Sequence, residues 1–180
     1  KEYRRQRQMC IRDRAITAAF VWALFNYSDA AAAPSSRPLK VKYEDLNRSA
    51  RQQVDCLAQN MYFESGWEPE AGQIAVAMVT INRQESGDFA PTICGVVKQK
   101  TAETCQFSWV CEYKTINNIN RDVYLRVRAL AVYVYANRNH IKDPSQGALF
   151  YHADYVRPGW KNMVYLTKIG HHKFYNRKDS

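Results

Sequence analysis

The segment at residues 71–83, AGQIAVAMVTINR, is apolar around almost its whole circumference when it is drawn as a helix. Pro69 directly before it suits the first helical turn, and the acids Glu68 and Glu70 suit the positive end of a helix. A helix that is apolar on all sides has to be enclosed by other elements. The sequence therefore predicts a buried central helix, in which Gly72 and the alanines leave room for close helix packing.

Further helices are predicted on both sides of this segment. Upstream, from about Asp45, apolar residues recur at intervals of three and four, which indicates an amphipathic helix; they are Leu46, Ala50, Val54, Leu57, Ala58 and Met61. We expect this helix to end near Gly66 in a left-handed cap. Downstream, residues 92–97 predict a short helix and residues 120–138 a long one.

The last part of the chain changes from helical to strand-like patterning. Short β-like runs at residues 147–153, 164–169 and 172–175 are separated by Pro-Gly and Gly-His turns. Helices followed by a small antiparallel sheet are typical of an α+β domain.

The first 33 residues are typical of an export signal. Arg12 and Arg14 precede an uncharged, mostly apolar stretch at residues 15–25, and small residues around Ala32 offer a cleavage site. The alternatives are an amphipathic or buried first helix and a retained anchor. Residues 1–14 resemble translated linker sequence and carry no functional argument.

Length, composition and charge indicate the domain organisation. We assign residues 1–33 as signal peptide, 34–44 as linker and 45–180 as one functional domain, because 180 residues suit a single domain of ordinary size. With 46% hydrophobic residues the chain can bury a core, so wholesale disorder is excluded. No apolar run reaches the roughly 18 residues of a membrane-spanning helix. The net charge of +9 favours an anionic polymer as partner.

Cysteine usage agrees with export to the periplasm or the cell exterior. Beyond Cys10 the chain has Cys56, Cys94, Cys105 and Cys111. Four cysteines in an exported domain predict two disulfides with three possible connectivities. Cys105 and Cys111 are close enough to close a small loop, which would leave Cys56 for Cys94. In a reducing compartment the same four would be buried thiols.

Glu64 is the most informative acidic residue. It follows Leu57 and Met61 at helical spacing, so it projects from the buried stripe of its helix. It also lies at the helix C-terminus, where the helix dipole disfavours negative charge. Both effects favour a protonated carboxyl, the form that general-acid cleavage of a glycosidic bond requires. The alternative is a structural Glu that pairs with an arginine or caps a turn.

Other candidate groups leave more than one interpretation open. Glu68 and Glu70 suit either a second catalytic acid or the start of the next helix. Aromatic and amide side chains are dense enough to form a glycan groove, although an ordinary core would use many of them too; they are Tyr62, Phe63, Trp67, Gln106, Phe107, Trp109, Tyr151, Trp160 and Tyr175. A cysteine peptidase built from Cys56 or Cys94 with His152 or His172 is a rival, but no local motif marks a nucleophile. No spacing of His and Cys predicts a metal site or another cofactor, and the basic residues lack a nucleic-acid recognition pattern.

The order of several segments resembles the SleB-type cell wall hydrolases, the family of the spore cortex-lytic enzymes. The segments are CLAQNMYFESGWEPEAGQIAVAMVTINR at 56–83, FAPTICGVV at 89–97, CQFSWVC at 105–111, GALFYH at 147–152 and IGHHKFY at 169–175. The resemblance covers about 120 residues and implies a lysozyme-like α+β catalytic domain. The family's catalytic glutamate falls on Glu64 and its second acid on Glu68. The chain departs from the family in having Gly66-Trp67 where Arg-Gly is usual.

The resemblance also implies the reaction. It implies cleavage of peptidoglycan between N-acetylmuramic acid and N-acetylglucosamine by a lytic transglycosylase, with Glu64 as acid and base and without a cofactor. Within the matching segments we expect substrate to be bound by Trp67, Glu68, Gln73, Gln106, Ser108, Tyr151 and His172. The alternatives are muramidase-type hydrolysis, a wall amidase or peptidase, and a non-catalytic wall-binding module. We expect a monomer that acts on the wall, as a bacterial remodelling enzyme or a phage lysin, without nucleic acid or a membrane span.

Overall fold

The computed structural model describes residues 38–112 and 116–178, and within them five α-helices and three strands. The helices are α1 (Arg48–Ser65), α2 (Glu70–Ser86), α3 (Ile93–Lys98), α4 (Ser108–Cys111) and α5 (Arg121–Asn137). The strands are β1 (Phe150–Ala153), β2 (Met163–Ile169) and β3 (His172–Arg177). Two 3-10 turns lie at Tyr43–Asp45 and Ile116–Asn118. The predicted α+β class is confirmed.

Polar side chains define where three of the helices begin. The side chain of Asn47 accepts a hydrogen bond from the Ala50 amide at 2.9 Å before α1, and that of Asn120 accepts one from Val123 before α5. Thr92 caps α3 in the same way. Each cap satisfies an amide of the first turn that has no partner within its helix.

The prediction of a left-handed cap at Gly66 was wrong. Gly66 has φ −58° and its amide donates to the Tyr62 carbonyl, so the helical pattern continues through it. Glycine is needed here for a different reason, since a Cβ atom would lie 2.6 Å from the Tyr62 oxygen. The left-handed cap occurs instead at Gly87, with φ +79°, at the end of α2.

Helix α2 is buried because two layers cover it. On one side Ala77, Met78 and Ile81 join the helical core formed with α1, α3 and α5. On the other side Ala75 and Val79 pack against Phe174 and other residues of the sheet. This placement confirms the buried central helix and explains why its sequence is apolar around the whole circumference. Gly72, however, gives room to the Glu68 side chain rather than to another helix.

The three strands form an antiparallel sheet in the order β1-β3-β2. Tyr151 pairs with Phe174 and Ala153 with His172, and a bulge between Tyr165 and Thr167 shifts the register of β2. The edge strands are therefore β1 and β2, and Tyr151 of β1 contacts the end of α1.

Two disulfides link the helices and the loop before α4. Cys56 is bonded to Cys94, which joins α1 to α3, and Cys105 is bonded to Cys111. This is the pairing that the short spacing of the last two cysteines favoured. Cys10 and the predicted export signal lie outside the described residues. Among the helices that are described, none is long and apolar enough to cross a membrane.

Candidate active site

Glu64 lies in the last turn of α1 and faces strand β1. Its side chain is half-buried, and Oε2 accepts a hydrogen bond of 3.0 Å from the hydroxyl of Tyr151. The two residues are 87 positions apart, so the contact depends on the sheet folding back onto the end of α1. The structure thus brings together two residues for which the sequence predicted a role in catalysis and substrate binding.

Tyr151 keeps its proton under ordinary conditions. Burial, with the nearby Glu64 carboxyl as the second cause, raises the pKa of the Tyr151 hydroxyl well above its usual value. Its ring packs edge-on against His172 at 5.2 Å between centroids and lies 5.8 Å from Phe174. Tyr151 is therefore a fixed hydrogen-bond donor toward Glu64.

Arg83 is a buried cation beside this pair that sequence reasoning missed. Arg83 is 3% exposed, and its Nε donates a hydrogen bond to the Leu149 carbonyl at 2.7 Å. When the amide of Gln106 is oriented to suit the guanidinium, its oxygen accepts from both terminal nitrogens at 3.2 and 3.3 Å. Burial lowers the pKa of Arg83, while Tyr151 and Glu64 act in the opposite direction. Gln106 thus contacts Arg83, which lies beside the Glu64–Tyr151 pair.

The guanidinium of Arg83 is also surrounded by aromatic rings. Its central carbon lies 5.3 Å from the ring centroids of Phe89 and Phe107 and 5.9 Å from that of Phe150. Cation–π contacts of this kind stabilise a buried guanidinium. The sequence does carry one signal for this residue, since Arg83 continues the buried spacing of Val76 and Thr80 on α2.

Glu68 ties the turn between α1 and α2 to the turn between β2 and β3. Its two oxygens accept from the His171 amide at 3.3 and 3.2 Å, and Oε1 lies 3.9 Å from His172 Nδ1. The approach is close, because a Cβ atom on Gly170 would lie 1.8 Å from Glu68 Oε2. The carboxylate is thus engaged by the protein's own backbone, and its role toward substrate stays a prediction.

His172 is the neutral member of this contact. The side chains of Glu68 and His172 are each 10% exposed, and burial lowers the pKa of His172 although Glu68 acts to raise it. Within the described part of the chain, its buried Nδ1 has no hydrogen-bond partner. His172 therefore packs as a neutral ring between Tyr151 and Glu68.

The remaining predicted substrate-binding residues surround this centre in different ways. Gln73 donates to the Glu68 carbonyl at 2.9 Å and braces the turn. Trp67 is 73% exposed and its ring lies 5.3 Å from that of Tyr62, while Ser108 is exposed at the start of α4. Trp109 is a core residue, with its indole nitrogen donating to Asn60. Trp160 and Tyr175 contact each other on the side of the sheet that does not face α2.

The rival cysteine chemistry has no thiol in the described residues. Cys56, Cys94, Cys105 and Cys111 are all in disulfides, so none of them can serve as a nucleophile in this state. Across residues 38–112 and 116–178, no group of three or more His, Cys, Asp or Glu is arranged to hold a metal ion.

The described residues form a helical α+β domain, and its sequence identifies the class of protein to which it belongs. The family model described as Cell Wall Hydrolase matches residues 67–175, and the chain belongs to this family. The predicted enzyme class and the SleB-type resemblance are confirmed. The match begins three residues after Glu64, so the family assignment is independent of that residue.

Within the family, the chain is similar to spore cortex-lytic enzymes. It is 29% identical over 125 residues to that of Halalkalibacterium halodurans, covering 68% of this chain and 34% of the relative. It is 28% identical over 130 residues to that of Bacillus cereus, covering 71% and 46%. The chain therefore spans between a third and a half of the length of these curated relatives.

Two solved catalytic domains share the fold. That of the Bacillus cereus SleB protein aligns with a TM-score of 0.53 at 24% identity, over 81% of this chain and 99% of that domain. That of the germination-specific lytic transglycosylase SleB from Bacillus anthracis aligns with a TM-score of 0.56 at 28% identity, over 73% and 99%. The fold of the described residues is that of the SleB catalytic domain.

Proposed function

We propose that this enzyme cleaves peptidoglycan glycan strands between N-acetylmuramic acid and N-acetylglucosamine as a lytic transglycosylase, with Glu64 as the catalytic acid and base. The observation that carries the proposal is the Glu64 carboxyl at the end of α1, oriented by the Tyr151 hydroxyl beside buried Arg83. The similar SleB domain from Bacillus anthracis is described as a lytic transglycosylase, which supports this choice for the family.

The proposed reaction uses one carboxyl group twice. Protonated Glu64 first donates its proton to the glycosidic oxygen, so the N-acetylglucosamine portion leaves as an alcohol. The ionised carboxylate then takes the proton of the muramic C6 hydroxyl while that oxygen bonds to the anomeric carbon. The products are a 1,6-anhydro end and a new free hydroxyl, Glu64 is protonated again, and no water is consumed.

Tyr151 and Arg83 both support the ionised state of Glu64 in this reaction. A hydrogen bond from the Tyr151 hydroxyl orients the carboxyl group and favours its ionised form. The positive charge of Arg83 acts in the same direction. Both therefore stabilise the carboxylate that forms when the leaving group has been protonated, which is the stage at which positive charge develops on the sugar.

The environment of Glu68 favours transglycosylation over muramidase-type hydrolysis. Glycoside hydrolysis ordinarily uses two carboxyl groups on either side of the bond. Glu68 follows Glu64 by one helical turn in sequence, but its oxygens are bonded to the His171 amide and packed against Gly170. A carboxylate held in this way is poorly suited to activate water.

The location of the enzyme follows from the same proposal. Peptidoglycan lies outside the cytoplasmic membrane, and two disulfides are stable in that oxidising compartment. The proposed place of action is therefore the periplasm or the cell exterior, reached with the predicted signal at residues 1–33. The positive charge of the chain suits an anionic wall polymer.

Substitution of the acid tests the proposal. We expect Glu64→Gln to lower the rate of glycan release from purified sacculi by about 100- to 10,000-fold, because a positioned acid–base group contributes about that much. Glu85→Gln on α2, a 51% exposed carboxyl in a long 3.9 Å ion pair with Arg138, is the matched control and should retain the native rate. Full activity in Glu64→Gln would exclude Glu64 as the catalytic acid.

A further inference from the structure

The face of the sheet that points away from α2 carries a group of neighbouring aromatic side chains. Successive residues of a strand alternate between the two faces of a sheet. Tyr151 and Phe174 pack toward α2, so His152 and Tyr175 lie on the opposite side. These two residues, with Trp160, Tyr165 and Lys173, make up what we call the outer sheet face.

The rings of the outer sheet face hold one another in place. His152 stacks on Tyr175 with centroids 5.1 Å apart, and His152 Nε2 lies 3.2 Å from the Tyr175 hydroxyl. The Trp160 ring meets these two rings at 5.4 and 6.0 Å, and Tyr165 meets Tyr175 at 5.6 Å. With the loop at residues 156–160, the rings of His152, Trp160 and Tyr175 border a shallow cavity of about 310 Å³.

Two rings of this group are open to solvent. Tyr165 is 55% exposed and Trp160 43%, whereas His152 and Tyr175 are half-buried beneath them. Rings that contact one another and remain exposed lose little conformational entropy when a partner binds. Neighbouring exposed rings of this kind are typical of an interaction site.

The basic residues around the rings indicate the charge of the partner. Residues 154–178 contain six Lys and Arg side chains and a single acid, Asp154. The carboxylate of Asp154 is paired with Lys168 Nζ at 2.7 Å. Arg157 and Lys173 border the cavity itself. The surface is therefore complementary to an anionic partner.

We infer that the outer sheet face binds a second stretch of carboxylate-bearing glycan strand, at a place separate from the catalytic centre. The rings of Trp160 and Tyr165 stack on the apolar faces of sugars, and the lysines and arginines pair with carboxylates of the stem peptides. The choice of a wall glycan as occupant rests on the proposed function.

The position of β1 connects the two sites. It is an edge strand, with Tyr151 directed toward Glu64 and the next residue, His152, on the outer sheet face. A polymer that crosses β1 as it leaves the catalytic centre therefore meets the outer sheet face next. Binding there holds the enzyme on the insoluble wall between cleavage events and raises the local concentration of substrate.

Co-sedimentation with purified sacculi tests this inference. The Glu64→Gln chain is used as the parent so that the sacculi stay intact during the assay. Trp160→Ala with Tyr165→Ala should weaken binding about tenfold. Tyr133→Ala, which removes an exposed ring from α5, is the matched control and should bind within twofold of the parent. Arg157→Gln with Lys173→Gln, which leaves every ring in place, should weaken binding and reduce its dependence on salt.

Each outcome decides between the inference and its rivals. Unchanged binding in both the ring variant and the charge variant would overturn the inference, while cleavage by the native chain would still support the proposed function. Equal or tighter binding of the parent to single-stranded DNA or to anionic phospholipid vesicles, lost in the same variants, would assign the face to another partner. The variants could also lose sacculus binding while the native chain shows no cleavage. That result would support the outer sheet face as a binding site and overturn only the proposed function.

Discussion

At the scale of single residues, the environment of Glu64 comes from side chains that are distant in the sequence. Its helical spacing after Leu57 and Met61 predicts which way it points, because that depends only on its own helix. The donation from Tyr151 and the charge of Arg83 depend on how β1 and α2 pack against α1, and no local pattern encodes that. For this reason the direction of the Glu64 side chain could be predicted from sequence, whereas its contact with Tyr151 and its proximity to Arg83 could not.

Removal of the Tyr151 hydroxyl should affect catalysis more than binding. We expect Tyr151→Phe to lower kcat about 10- to 100-fold with KM within twofold, because a hydrogen bond to a charged group is lost. Initial rates on sacculi give both values, and Tyr133→Phe on α5 is the control. The pKa of Tyr151 is raised well above 10, so the alkaline limb of the pH–rate profile should be the same in both proteins. A native kcat in Tyr151→Phe would show that the hydroxyl does not act on Glu64.

His172 should make the fold sensitive to acid. Burial lowers its pKa in the folded protein below the ordinary value of about 6.5, so the unfolded chain binds the proton first as the pH falls. The contribution to stability is complete above about pH 6.5 and is lost as the pH falls toward the folded-state pKa. Urea unfolding from pH 7.5 to 5 should show a smaller acid loss in His172→Gln than in the native protein. Its neighbour His171, whose side chain is 79% exposed, provides the control variant His171→Gln, which should follow the native curve.

At the scale of elements, the helices and strands could be predicted well because each has a local cause. Periodicity predicted α1, α2 and α5, and the change to short β-like runs predicted the three strands. The end of α1 could not be predicted, because Gly66 is required by a close approach to the Tyr62 carbonyl rather than by a left-handed cap. The hydrogen bond between Glu68 and the His171 amide in the β2–β3 turn joins residues 103 positions apart, so no local sequence pattern predicts it.

The two disulfides should contribute unequally to stability. Cys56–Cys94 closes a loop with a sequence separation of 38 and Cys105–Cys111 one of 6. On the chain-entropy account, the longer loop is worth about 4 kcal/mol and the shorter about 2 kcal/mol. Free energies of unfolding in urea for the two paired Cys→Ser variants test this order. A larger loss for the short loop would show that its disulfide acts through native packing near Gln106 rather than through the unfolded chain.

At the scale of the whole molecule, the candidate site depends on how the sheet packs against the helices. One face of the sheet covers α2 and brings Tyr151 to Glu64, and the other face presents exposed rings within a basic segment. The density of aromatic residues left a glycan groove and the core both open for Trp160 and Tyr175, because composition does not reveal which face of a sheet a residue occupies. The family and its α+β fold could be predicted because ordered segments along about 120 residues carry the resemblance.

The measurement that tests the central claim most directly is digestion of sacculi in water enriched in oxygen-18, followed by mass spectrometry of the released fragments. If Glu64 directs attack by the muramic C6 hydroxyl, the native protein should give 1,6-anhydro ends without the heavy isotope, and Glu64→Gln should give none. Reducing ends that carry oxygen-18 would contradict transglycosylation and identify water as the nucleophile. Release of stem peptides with intact glycan strands would contradict glycosidic cleavage itself.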